Sequence, residues 1–69
     1  MKAILEINTG KAIYLFEDTK KVKITEAGLV TPLRAIDIRP DTHEIVDVPP
    51  PPVDFISGKL AFDGQWRIL

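Results

Sequence analysis

The sequence predicts a small all-β domain, an antiparallel β-sandwich or partly open barrel built from hairpins. Three observations carry this. The apolar runs are short and rich in Ile, Val, Leu, Tyr and Phe. Gly, Pro, Asn and Asp punctuate them at intervals suited to about six to eight short strands. No window repeats its apolar residues at a helical period over a helix length. Only Thr25 to Leu29 is compatible with a single helical turn.

Lys2 to Ile7 is the first predicted strand, closed by Asn8-Thr9-Gly10. Lys11 to Phe16 follows at once, so the two read as a β-hairpin. Both runs carry apolar residues on both faces, Ile4 beside Ala3 and Leu5, and Tyr14 and Phe16 beside Ile13 and Leu15. A strand with one wet face alternates more cleanly. This hairpin is therefore expected either at the centre of a sandwich or under another subunit. After the polar turn at Glu17-Asp18-Thr19-Lys20, Lys21 to Thr25 alternates strictly, with Val22 and Ile24 inward and the lysines outward. Lysine on such a strand suits a sheet edge, where it discourages further pairing.

Glu26-Ala27-Gly28 reads as a turn and Leu29 to Pro32 as an irregular connection. Leu33 to Arg39 alternates again, with Ile36 and Ile38 sharing a face. Pro40-Asp41-Thr42 is turn chemistry, and Glu44 to Val48 returns as a strand, which makes Arg39 to Glu44 a second expected hairpin tip. Four consecutive prolines, 49–52, lack backbone donors and favour an extended rod. Val53 to Ser57 and Lys59 to Leu69 resume the strand pattern. Asp63-Gly64, set between Leu60-Ala61-Phe62 and Trp66-Arg67-Ile68-Leu69, is the strongest short hairpin signal. The chain thus divides into a hairpin-rich core (1–48), a proline spacer (49–52) and an aromatic C-terminal hairpin (53–69).

Composition narrows the chemistry. With 69 residues the chain makes one domain at most, and so short a domain is only marginally self-sufficient. It has no cysteine and one histidine, His43, which removes disulfides, thiolate metal sites and histidine-rich sites. What is left is an efficient small core or support from another chain. An apolar content of 45% is too high for disorder. A net charge of −1 argues against a dedicated nucleic-acid partner. No apolar run approaches a membrane span. The charged start, Met1-Lys2-Ala3-Ile4-Leu5-Glu6, is not a secretory signal, so synthesis in a cytoplasm without membrane insertion is expected.

Candidate chemical motifs are weak. Asp37, Asp41, His43, Glu44 and Asp47 match no metal-ligand spacing and read as a charged tip. Gly10-Lys11 and Gly58-Lys59 lack the spaced glycines of a phosphate loop. Ser57, the sole serine, has no nucleophile-elbow context. No catalytic, metal or cofactor residue is therefore assigned, and no enzyme activity is expected. The proline run has no closely flanking cation, which favours a spacer over a polyproline ligand. The aromatics are the more informative group. Phe55, Phe62, Trp66 and Ile68 at the C-terminus, with Tyr14 and Phe16 in the first hairpin, are the candidate interface, because aromatics serve both cores and hot spots.

The stretch Val48-Pro49-Pro50-Pro51-Pro52, with Asp54-Phe55, Gly58, Leu60, Phe62-Asp63-Gly64 and Trp66, resembles segments of small tailed-phage virion proteins, tail- or capsid-associated. The resemblance covers about the C-terminal third of the chain. It implies a structural β-module, resident in a virion, that docks on symmetric neighbours, and it carries no catalytic residues. The expected function is a non-enzymatic structural or protein-interaction module, self-associating or part of a larger assembly. The alternative is a small barrel that binds nucleic acid or a ligand through the strand bearing Lys20, Lys21 and Lys23.

Overall fold

The computed structural model describes residues 1–26, 28–30, 34–35 and 38–69, with the backbone alone at 29–30 and 34–35. The fold is all-β, and every strand pairing is antiparallel. Among the described residues, eight strands run in order: β1 (Lys2–Glu6), β2 (Ala12–Phe16), β3 (Lys23–Thr25), β4 (Gly28–Val30), β5 (Arg34–Ala35), β6 (His43–Asp47), β7 (Leu60–Phe62) and β8 (Trp66–Ile68). They form a sheet of order β2-β1-β6, a second of order β3-β4-β5, and the hairpin β7-β8.

β1 is the central strand, and its two faces explain the doubled apolar pattern. Successive side chains of a strand point to opposite faces. Ala3 and Leu5 enter one cluster with Ala12 and Val48, packed by Met1, Leu15, Val46, Phe55, Phe62 and Trp66. Ile4 enters the other with Ile38, packed by Ile13, Phe16, Val22, Ile24 and Ile45. Ile4 is wholly buried, a burial that contributes about 1.5–3 kcal/mol. Within the first hairpin, β1 takes a central position in its sheet, while β2 is an edge strand. The C-terminal segment covers one face and β3 covers the other.

A bulge lets β2 serve both clusters. Ile4 pairs with Tyr14 but the next residue, Leu5, pairs with Ala12, which leaves Ile13 as the extra residue. A bulge of this kind brings two successive side chains towards one side and bends the strand. Ile13 turns onto the Ile4 cluster, while Tyr14 stays 41% exposed and stacks obliquely on Phe16 at 6.0 Å. The bulge also turns two carbonyls outward. Ser57 Oγ donates to the Ile13 carbonyl at 2.6 Å and the Gly58 N–H to the Ala12 carbonyl at 2.9 Å.

Four local expectations need correction. Gly28 to Val30 is a strand, paired with β3 from Thr25↔Gly28 to Lys23↔Val30, where an irregular connection or a helical turn was expected. Gly28, at φ 105°, supplies the conformation this tight reversal needs. The strand expected at Leu33 to Arg39 is seen as β5 alone; Leu33, Ile36 and Asp37 lie outside the described residues, and Ile38 and Arg39 are not in a strand. Arg39 to Glu44 is a corner between sheets rather than a hairpin tip, because β6 pairs with β1 along its length. Thr42 and His43 N–H groups both donate to the Arg39 carbonyl there. Val53 to Ser57 forms no strand. Two exposed prolines open the preceding run and Phe55 folds onto the first cluster instead.

The proline segment does not hold the last hairpin away from the core. Trp66 Nε1 donates to the Pro49 carbonyl at 2.8 Å. Lys11 bridges to Ala61, and the Phe62 N–H donates to the Gly10 carbonyl at 3.0 Å. Gly10 has φ 74°, and a Cβ there would lie 3.2 Å from the Phe62 carbonyl oxygen. Glycine thus allows both the turn and the close approach of the two hairpins.

Candidate interaction surfaces

The six candidate interface residues divide by environment. Phe55, Phe62 and Trp66 are half-buried against the Ala3–Leu5 cluster. Phe62 and Trp66 pair across β7 and β8, with rings edge to face at 5.2 Å. Phe16 is half-buried against the Ile4 cluster. Tyr14 and Ile68 are exposed, at 41% and 67%. Ile68 pairs with Leu60, which is buried, so both leave the hairpin on one face and Ile68 overhangs the outer strand.

Ile68 is joined by two residues that the sequence pattern did not single out. The Leu69 N–H donates to the Lys59 carbonyl, and the Lys59 N–H to the Ile56 carbonyl, both at 3.0 Å. These bonds gather Ile56, Ile68 and Leu69 around Lys59-Leu60, and all three are more than half exposed. Periodicity could not mark them, since Ile56 lies in a turn and Ile68 keeps the inward phase of its strand.

The bonding phase of the hairpin decides what its free edge offers. Leu69 bonds to Lys59, so in antiparallel alternation Arg67 bonds across to Ala61 while Trp66 and Ile68 turn their backbone groups outward. Arg67, the one cation on β8, is held by Asp63 at 3.0 Å.

The second surface is cationic. Lys2, Lys20, Lys21, Val22 and Lys23 line an open cleft of about 410 Å³. Lys2 lies on the same face of β1 as Ile4, opposite the C-terminal hairpin. Its ammonium meets Asp47 at 2.9 Å. That hydrogen bond and the charge of Asp47 raise the Lys2 pKa, and lower that of Asp47 through the same contact. The N-terminal ammonium meets Asp18 at 3.0 Å. Lys20, Lys21 and Lys23 are exposed and form no ion pair among the described residues. The sequence marked those three; Lys2 joins them only because β1 and the segment before β3 converge.

The acidic stretch around the corner does not assemble. Asp37 lies outside the described residues, and Asp41, Glu44 and Asp47 are exposed. Strand alternation sends Glu44 to the face opposite His43 and Asp47. His43 Nδ1 is taken up by the Thr42 hydroxyl at 2.7 Å, and Asp47 by Lys2. Among the described residues, no group of three His, Asp or Glu side chains is placed to hold a metal ion. No helix among them is long and apolar enough to cross a membrane.

Comparison with protein-family models, with curated proteins and with solved structures finds no match to this chain.

Proposed function

We propose that this chain is a non-enzymatic assembly module that associates with a second copy of itself through the free edge of β8. The observation that carries this is the apolar group Ile56, Ile68 and Leu69, exposed at 61, 67 and 58%, beside a strand whose backbone groups face outward. An unguarded apolar edge is a pairing site. A β8-to-β8 contact across a two-fold axis would be self-complementary, as closed dimers require.

The resemblance of the proline-to-tryptophan stretch to tailed-phage virion proteins points the same way, towards a structural part repeated on symmetric neighbours. In this reading Phe55, Phe62 and Trp66 hold the docking hairpin on the core, and Ile68 makes the contact.

Light scattering after size-exclusion chromatography, over a dilution series, tests this. The unmodified chain is expected as a dimer or larger oligomer that dissociates on dilution. Ile68→Asp is expected as a monomer with unchanged far-UV circular dichroism, since Ile68 is 67% exposed. A chain that remains monomeric at millimolar concentration refutes the proposal, as does an oligomer indifferent to Ile68→Asp.

A further inference from the structure

The lysine cleft makes no contribution to self-association through β8, and it lies on the other side of β1. We propose that it is a binding site for a compact oligophosphate, an anion with two or three phosphate groups in immediate succession.

Four of the chain's nine cationic side chains line one cleft, although the chain as a whole carries a charge of −1. The carboxylates around them do not cancel this. Asp47 answers Lys2, and Asp18 answers the N-terminus. Glu17 stands on the same turn, exposed and without an ion pair among the described residues. Setting Glu17 against one of Lys20, Lys21 and Lys23 still leaves, among the described residues, an excess of two positive charges. Lysine ammoniums bind phosphate as mobile point charges and need no fixed fork geometry. Lys21 and Lys23, the latter the first residue of β3, are both exposed and line the same cleft.

The surroundings set the length of the ligand. Asp18, Glu17 and Asp47 stand around the lysines, so an extended polyanion would run from the lysines onto carboxylates. A short, dense anion gains the attraction without meeting the acidic rim. The volume, about 410 Å³, falls in the range of small-molecule sites. Val22, half-buried between Lys21 and Lys23, gives the cleft an apolar element against which an organic group on the phosphate chain can rest.

The competing account of these lysines is that they only guard β3, an edge of its sheet, from pairing. Amide chemical-shift titration of the full chain at low salt separates the two. Inorganic tripolyphosphate is expected to shift Lys2 and Lys20 to Lys23 selectively and saturably, and 150 mM salt to weaken the effect. Lys21→Gln with Lys23→Gln is expected to lower affinity about five- to tenfold, and Asp47→Asn, which frees Lys2, to raise it about two- to threefold. A nucleoside triphosphate bound at least as well as tripolyphosphate identifies an organic phosphate as the source; weaker binding identifies the inorganic chain. Three results overturn the proposal: no selective shift at millimolar tripolyphosphate, an equal response in the double variant with its fold intact, or a single-stranded oligonucleotide preferred over tripolyphosphate. Glutamine variants that aggregate while the unmodified chain binds nothing would assign the lysines to edge protection.

Discussion

Replacing Trp66 with alanine tests whether the C-terminal hairpin belongs to the cooperative core. The indole makes three contributions. Its edge-to-face contact with Phe62, at 5.2 Å, is worth about 0.5–1.5 kcal/mol. Its N–H bond to the Pro49 carbonyl, at 2.8 Å, is worth about 0.5–1.5 kcal/mol net. Its apolar area covers part of the Ala3–Leu5 cluster. A fully buried tryptophan costs about 3–5 kcal/mol when truncated. Trp66 is only half-buried and Pro49 is exposed, so water can replace part of what is lost. The expected loss is therefore about 2–3 kcal/mol, against a total of about 3.5–10 kcal/mol for a domain of 69 residues. The midpoint should fall by about 10–20 °C. Urea unfolding reads the free-energy loss and thermal unfolding the midpoint, both followed by far-UV circular dichroism in an Ile68→Asp background at micromolar concentration, so that association does not add to stability. Trp66→Phe, which keeps the ring pair and loses the hydrogen bond, should cost about 1 kcal/mol. A loss under 0.5 kcal/mol for Trp66→Ala, with the urea dependence unchanged, would show that the hairpin is not part of the folding unit. The packing argument would then fail.

Gly10→Ala and Gly64→Ala separate conformational strain from steric approach. Both glycines have positive φ, 74° and 98°, but only at Gly10 would a Cβ meet backbone, the Phe62 carbonyl oxygen at 3.2 Å. Gly64→Ala should cost about 1 kcal/mol of strain alone, and Gly10→Ala measurably more in the same denaturation assay; equal losses would refute a close junction between the hairpins. The Lys2–Asp47 pair carries a pH dependence. Because Asp47 is held below its ordinary value of 3.8, its contribution stands above that value and is lost as pH falls through the lowered one. Because Lys2 is raised above 10.5, its contribution stands below that value and is lost as pH rises through the raised one. Asp47→Asn should flatten both limbs of the stability profile slightly, since the pair is exposed, and leave the plateau between them level; an unchanged acid limb would show that the contact does not persist in solution.

The class of fold was legible because strand periodicity is local. Turn residues at Asn8-Thr9-Gly10 and Asp63-Gly64 mark two hairpins, and apolar residues on both faces of β1 require cover on both. What was not legible is non-local. The β2 bulge leaves no mark in the sequence around Ile13; it exists because β2 must bond to β1 while offering carbonyls to Ser57 and Gly58. The pairing of β6 with β1 spans more than half the chain, and a sequence-adjacent hairpin with the preceding segment looks equally good from the residues alone. The aromatics illustrate the same limit. Their residue types suit a core and an interface equally, and only tertiary contacts assign Phe55, Phe62 and Trp66 to packing while leaving Ile68 outside.

The free strand edges explain why the two proposed surfaces can coexist on so small a chain. Every edge is a liability unless it is covered or charged. The edge of β2 is covered by the Ser57-Gly58 turn and the Lys11–Ala61 bridge. The edge of β6 carries Glu44 and Asp47, and the edge of β3 carries Lys23 beside Lys21. These edges bear opposite charges on one chain, so charge alone would draw β3 of one copy towards β6 of another. The Lys2–Asp47 contact lessens that attraction by tying one carboxylate inside its own chain. A filled lysine cleft would lessen it further, because a bound oligophosphate removes the positive partner. Of the β2, β3, β6 and β8 edges, pairing then meets least opposition at β8, whose cation is engaged by Asp63. Association through β8 and anion binding beside β3 would then be complementary: the anion would suppress head-to-tail contacts that form open chains and leave the two-fold contact that closes.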